Sequence, residues 1–112
     1  MLARLNDAVD VEAPRHELLG LVYEALDQYE AGGTDLSALV HDVDSLIVEL
    51  TLLSDPNWTR KMRNQWTALA AVLVEQRRAG AWEPPPSGCD RIAGANQGLR
   101  FLADLRPVAR SS

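Results

Sequence analysis

The sequence has few of the residues that most often build catalytic or cross-linked sites. Its one cysteine, Cys89, excludes an intramolecular disulfide and a zinc site made of several cysteines. Such cysteine usage is typical of the reducing cytoplasm, where we expect the chain to act. No general base that would activate the thiol of Cys89 is visible, so we interpret it as a partly buried structural residue. His16 and His41 have no second ligand at a known metal spacing, and we interpret them as surface residues.

Long apolar runs are also missing. Acidic residues interrupt the N-terminus before any signal-peptide core, and no stretch approaches the ~20 apolar residues of a membrane span. A net charge of −5 argues against nucleic acid as a direct ligand, because its phosphates would be repelled. We find no catalytic motif. The sequence therefore predicts a non-enzymatic protein without cofactor or metal, acting away from membranes and nucleic acid.

The charge that is present is divided between the two halves of the chain. Residues 1–55 hold twelve acidic and two basic residues, a net −10, whereas residues 56–112 hold four acidic and nine basic residues, a net +5. Such asymmetry either holds one half of a fold against the other or presents an acidic surface to a basic partner. Both interpretations remain open at this level.

Apolar residues at helical spacing predict two helices in the acidic half. The first starts near Pro14, which suits a first helical turn, and stops at Gly32–Gly33. Thr34 is the expected N-cap of the second helix, followed by Asp35. The inner stripe of that helix is the strongest periodic signal in the chain: Leu36, Leu39, Val40, Val43, Leu46, Ile47, Leu50 and Leu53.

Two further helices are predicted in the basic half. Ser54–Asp55–Pro56 begins the third, which ends near Ala79, and its apolar girth from Ala68 to Val74 suggests a central position or a second copy as neighbour. A proline-rich connector spans residues 80–87. Ser87 is the expected cap of the fourth helix, whose inner face ends with Leu105 before Pro107. Its glycines, Gly94 and Gly98, permit close backbone approach.

These elements define one all-α domain over residues 1–112, expected as an antiparallel four-helix bundle. Residues 1–12 form a frayed arm or a short extra helix in this prediction. No segment shows the sustained alternation of a strand.

Carboxylates at helical spacing mark the candidate site. Asp35, Asp42 and Glu49 recur every seven residues beside the apolar stripe of the second helix, and Glu24 and Asp27 extend the acidic surface onto the first helix together with Glu17. One interpretation is that these acids are solvated or paired with arginines of the later helices. The other is a partner surface, because few basic residues interleave them.

Trp82 stands apart from the other two tryptophans. Trp58 and Trp66 lie on the inner stripe of the third helix and are expected in the core, but Trp82 precedes three prolines in the connector. It either covers an open end of the bundle or anchors a contact with another protein.

The pattern Tyr29–Glu30–Ala31–Gly32, a capped leucine-rich helix, and then Pro56–Asn57–Trp58 with Trp66 eight residues on resembles small helical immunity proteins of bacterial toxin systems. The likeness covers residues 18–75 and lacks the Asp-x-x-Tyr-Tyr-Pro element of the immunity proteins of nuclease colicins. It implies a protein that binds a toxin tightly and covers its active site.

The leading hypothesis from the sequence is an immunity protein or antitoxin that binds a basic toxin domain. The predicted partner-binding residues are Glu24, Asp27, Asp35, Asp42, Glu49 and Trp82. The alternative is a self-associating structural bundle, a homodimer or a subunit of a larger assembly, with the girth of the third helix as its interface.

Overall fold

A computed structural model describes the backbone of residues 2–105 and the side chains of residues 13–105. Within residues 2–105 the chain is all-helical and has no strand, which confirms the predicted class. The four helices are α1 (Leu2–Glu30), α2 (Leu36–Leu53), α3 (Pro56–Arg78) and α4 (Pro86–Asp104).

The predicted start of the first helix near Pro14 is wrong. α1 begins at Leu2 and continues through Pro14, although this residue lacks the N–H that would close an intrahelical hydrogen bond. Residues 2–12 therefore belong to the backbone of α1, and their side chains lie outside the described part of the chain. The helix ends where predicted, at Glu30, and Gly32 follows with a φ of 82° that glycine adopts without strain.

The cap of α2 is one residue later than predicted. Asp35, and not Thr34, is the N-cap, and its Oδ1 accepts a hydrogen bond of 2.8 Å from the Ala38 N–H. Both residue types can cap a helix, so their order along the backbone decides which side chain reaches the free N–H groups. Asp35 thus has a structural role inside the chain.

α3 begins as predicted, but α4 does not. Asp55 caps α3 by accepting a hydrogen bond of 3.2 Å from the Trp58 N–H, and Pro56 follows in the first turn. The predicted Ser87 cap is wrong, because α4 already begins at Pro86, behind Pro85, with no side chain capping it. Proline is favourable at the first helical position, where its missing N–H has no partner to lose.

Each helix packs on two neighbours in the described part of the chain: α1 on α2, α2 on α3, α3 on α4, and α4 back on α1. α3 has the most extensive packing, against both α2 and α4, which agrees with the predicted central position. Leu69, Val72 and Leu73 of its apolar stretch are buried, whereas Val74 is 47% exposed. The predicted inner stripes are largely confirmed, with Leu26, Ile47, Leu69 and Leu99 fully buried. Leu105 is an exception, 56% exposed at the end of α4.

Hydrogen bonds between helices fix their relative positions. Near the start of α3, Trp58 Nε1 donates to the carbonyl oxygen of Leu102, near the end of α4, at 2.8 Å. Near the other end of α3, Glu75 pairs with Arg91 in α4. Trp66 Nε1 donates to the Val40 carbonyl of α2 at 2.8 Å. The ring nitrogens of the buried Trp58 and of the half-buried Trp66 therefore both have a hydrogen-bond partner within the fold.

Candidate functional site

An open groove runs between α1 and α2. It consists of two adjoining clefts, of about 280 Å³ and about 440 Å³, which share Leu21. The first cleft is lined by Leu21, Glu24, Ala25, Gln28, Asp42, Ser45 and Leu46. The second is lined by Pro14, Glu17, Leu18, Leu21, Glu49, Leu52 and Leu53. We call this surface the α1/α2 groove.

The groove has an apolar floor that is partly open to solvent. Leu21 is 42% exposed and Leu52 is 70% exposed, while Leu46 beneath the first cleft is buried. Leucine side chains gain free energy when they leave water, so this floor would be stabilised by an occupant. The sequence prediction did not include Leu21 or Leu52. The sequence feature that could have identified these two leucines is their position beside the inner stripe of each helix instead of on it.

Four carboxylates line the groove without an internal partner. Glu17 and Glu24 come from α1, and Asp42 and Glu49 come from α2. All four are exposed, and none forms a hydrogen bond or ion pair with a described side chain. Each cleft receives one acid from each helix: Glu24 with Asp42, and Glu17 with Glu49.

Arg100 forms ion pairs with two other acids of α1. Its guanidinium contacts Asp27 Oδ1 and Glu30 Oε1, each at 2.6 Å. The guanidinium donates a hydrogen bond to each carboxylate, and these bonds, first that to Glu30 and then that to Asp27, raise the pKa of Arg100. Asp27 was predicted as part of the partner surface, but it faces α4 and already has a cation, so it does not belong to the groove.

Arg63 forms an ion pair with an acid of α2. Its guanidinium lies 2.5 Å from Asp44 Oδ1 and 4.7 Å from the centre of the Trp66 ring. The ion pair joins α3 to α2, and the cation–π contact, three residues on along α3, orients the same guanidinium. Asp35 and Asp55 accept hydrogen bonds as helix caps. The described acids of residues 13–55 therefore form two groups: those with a structural partner, and the four carboxylates that line the groove.

The acidic half of the chain is neutralised only in part by the basic half. Asp27, Glu30 and Asp44 are matched by arginines of the later helices, as the first interpretation expected. The remaining unmatched carboxylates gather along one groove instead of being scattered over the surface.

Trp82 is held on a fixed loop away from this groove. Its side chain is 97% exposed, so it does not cover an end of the fold, and that alternative is wrong. Gln76 Nε2 donates to the carbonyls of Ala81 and Trp82 at 3.4 Å and 3.2 Å, which fixes the backbone that carries the ring. No residue of the α3–α4 connector lines either cleft of the α1/α2 groove.

A separate cleft, outside the α1/α2 groove and of about 300 Å³, lies between α1 and α4. Its lining includes Tyr29, Cys89, Asn96 and Arg100. Its one cation, Arg100, is already bound by two carboxylates. Burial, followed by the nearby Cys89, raises the pKa of Tyr29, so its hydroxyl stays protonated at neutral pH. Cys89 is exposed, and the predicted partial burial of this thiol is wrong.

The described side chains offer no metal centre. Among residues 13–105, no group of three or more histidine, cysteine, aspartate or glutamate side chains is placed to hold an ion. His16 and His41 are both exposed, as predicted. Nor does any helix in the described part of the chain have the length and apolar character needed to traverse a lipid bilayer.

Comparison with known proteins adds no relative. The sequence matches no family model, and neither a curated protein nor a solved structure is significantly similar to it.

Proposed function

We propose that this chain is a non-enzymatic protein-binding module, an immunity protein or antitoxin of a bacterial cytoplasm, that binds a basic partner through the α1/α2 groove. The observation that supports this proposal is that the four described acids of residues 13–55 without a structural partner all line that groove. A cognate toxin domain with a cationic surface would supply the missing charges.

Electrostatics and burial would have separate roles in such a complex. The negative potential of Glu17, Glu24, Asp42 and Glu49 would accelerate encounter with a cationic surface. The exposed leucines of the floor would then lose water and slow dissociation. Unmatched like charges cost stability in the free protein, and a partner would remove that cost.

We also propose that the four helices form an antiparallel bundle, which would present the groove on a rigid scaffold. The contacts that support this arrangement join opposite ends of consecutive helices. Trp58 near the start of α3 bonds with Leu102 near the end of α4, and Ser37 near the start of α2 bonds with Arg77 at the end of α3. Between α1 and α2, Arg15 in the middle of α1 donates to the Leu53 carbonyl at the end of α2, whereas Glu24, later in α1, lines a cleft with Asp42, earlier in α2.

Trp82 provides a second contact in this proposal. Because its ring is almost fully exposed, a partner that covers it would bury a large apolar area. Since the ring does not line the groove, a partner that contacts both must extend beyond the groove.

The test uses the protein encoded by the neighbouring gene as the partner. Its affinity is measured by calorimetry for the parent chain, for Asp42→Lys, and for the matched control Asp90→Lys, which makes the same charge change at an exposed acid outside the groove and not adjacent to Trp82. We expect the groove variant to bind at least about ten-fold more weakly and the control to bind within about two-fold of the parent. Equal losses in the two variants would exclude the groove as the binding surface.

A further inference from the structure

The α1/α2 groove has the length of a short helix. Its lining on α1 runs from Pro14 to Gln28, which corresponds to about 21 Å at 1.5 Å per residue. About four helical turns of a partner would therefore fit along it. The floor is apolar and the acids lie along both walls, so the surface suits an occupant that is apolar on one side and basic at the margins of that side.

The spacing of the carboxylates narrows the choice of occupant. Glu17 and Glu24 are seven residues apart on one wall, and Asp42 and Glu49 are seven residues apart on the other. Two residues seven positions apart in an α-helix are about 10.5 Å apart along its axis and lie on nearly the same face. The two acids on one wall therefore have the same spacing as the two acids on the opposite wall. The acids thus form two facing pairs separated by about two helical turns.

We infer that the α1/α2 groove binds a cationic amphipathic α-helix with lysine or arginine residues repeating every seven positions on both sides of an apolar stripe. This inference rests on the proposed function and specifies the partner segment. The apolar stripe lies on Leu21 and Leu52, and the basic residues on its two sides face Glu24 with Asp42 in one cleft and Glu17 with Glu49 in the other.

An extended strand fits this spacing poorly. Side chains on one face of a strand repeat every two residues, at about 6.8 Å, and three residues span about 10 Å but end on the opposite face. A strand could therefore place a cation at one facing pair of acids but not at both from the same face. The helical repeat satisfies both pairs at once.

A second copy of this chain is also a poor occupant in symmetric contact. A two-fold interface through the same groove would place Glu17, Glu24, Asp42 and Glu49 against their own copies. Four unpaired carboxylates on each side would then be brought together without a cation, which is unfavourable.

The experiment uses a fluorescent peptide of about 16 residues, acetylated and amidated at its ends, as a defined probe. The matched peptide has leucines at heptad positions a and d and lysines at e and g. The control peptide has the same composition with its lysines moved to positions b, c and f, the side away from the groove. Affinity for the full chain is measured by anisotropy at about 0.05 M and about 0.5 M salt.

We expect the matched peptide to bind about ten-fold more tightly than the control peptide at low salt, with the difference largely lost at high salt. The variant Glu24→Gln/Asp42→Asn should weaken the matched peptide about five-fold, and Glu83→Gln/Asp90→Asn should change it less than about two-fold. Circular dichroism of each variant confirms that the helices are retained.

Equal binding of the two peptides to the parent chain would overturn the inference, as would equal losses in the two variants. If the groove variants weaken the natural partner but the peptides show no register preference, the proposed function stands and the helical occupant is wrong. If the natural partner is insensitive to the groove variants, both proposals fail. A dimer that sedimentation detects and that Glu24→Lys/Asp42→Lys dissociates would identify a second copy as the occupant and overturn the inference.

Discussion

Glu24 of α1 and Asp42 of α2 line the same cleft from opposite walls, and neither carboxylate has an ion-pair partner among the described side chains. Other acids of α1 and α2 have an arginine partner, as Asp27 has in Arg100. Among the described side chains that line this cleft there are two carboxylates and no cation. This relationship is the basis of the proposed binding surface.

Removing these two charges should not harm the fold. We expect Glu24→Gln/Asp42→Asn to be as stable as the parent, or more stable by up to about 0.5 kcal/mol at low salt, because like charges repel. The gain should disappear at high salt, where the repulsion is screened. Urea denaturation at both salt concentrations measures this difference. A loss above about 1 kcal/mol would mean that the carboxylates have structural partners.

Two tryptophans should differ sharply in their importance for stability. Trp58→Phe removes the buried hydrogen bond from Nε1 to the Leu102 carbonyl, and we expect it to lower the free energy of unfolding by about 1–3 kcal/mol. Trp82→Phe should change stability by less than about 0.5 kcal/mol, because that ring is 97% exposed. Urea denaturation followed by circular dichroism compares them. Comparable losses would contradict the different burial of the two rings.

Two glycines of α4 should respond in opposite directions to alanine. A Cβ at Gly94 meets no atom within 4 Å, so Gly94→Ala should stabilise the helix by about 0.5–1 kcal/mol. A Cβ at Gly88 would lie 2.9 Å from Val72 Cγ1 and 3.2 Å from Pro85 Cδ, so Gly88→Ala should be destabilising. Thermal melts of both variants test the contrast. Stabilisation by both substitutions would show that α4 lies farther from α3 at Gly88.

Tyr23 should make stability dependent on alkaline pH. Burial, and then the hydrogen bond to Asp104, raises the pKa of Tyr23 to about 12, so its protonated form is favoured in the folded protein. The resulting stabilisation is present below the unfolded pKa of about 10 and is lost as the pH rises through about 12.

Absorbance at the tyrosinate band during an alkaline titration measures this ionisation. We expect Tyr23→Phe to remove the transition near pH 12 and leave that of Tyr29, the other tyrosine of the chain. A parent titration with both tyrosines ionising near pH 10 would contradict the contact between Tyr23 and Asp104.

The parts of the fold that depend on local pattern could be predicted from the sequence. The stripe of α2 was predicted because apolar residues at helical spacing must share a face, and Leu36 to Leu50 are buried accordingly. Helix ends were less predictable, because several adjacent residues can cap. Asp35 caps α2 instead of Thr34, and α4 begins at Pro86 without any side-chain cap although Ser87 was available. Backbone geometry therefore decides where a helix begins among suitable neighbours.

The candidate site was predictable only in part, for a physical reason. The acidic stripes follow from helical spacing, but which acids are neutralised depends on contacts between residues distant in sequence. Arg100 reaches Asp27 across 73 positions, and nothing local to Asp27 reveals this pairing. The grouping of Glu17 with Glu49 likewise arises only when α1 packs on α2.

The most direct test of the binding surface is chemical-shift mapping of the isotopically labelled chain during titration with the matched cationic helical peptide. We expect the largest changes on both walls and the floor of the groove, around Leu21, Glu24, Asp42 and Leu52. Changes concentrated around Trp82 or on α3, with the groove unaffected, would contradict this expectation.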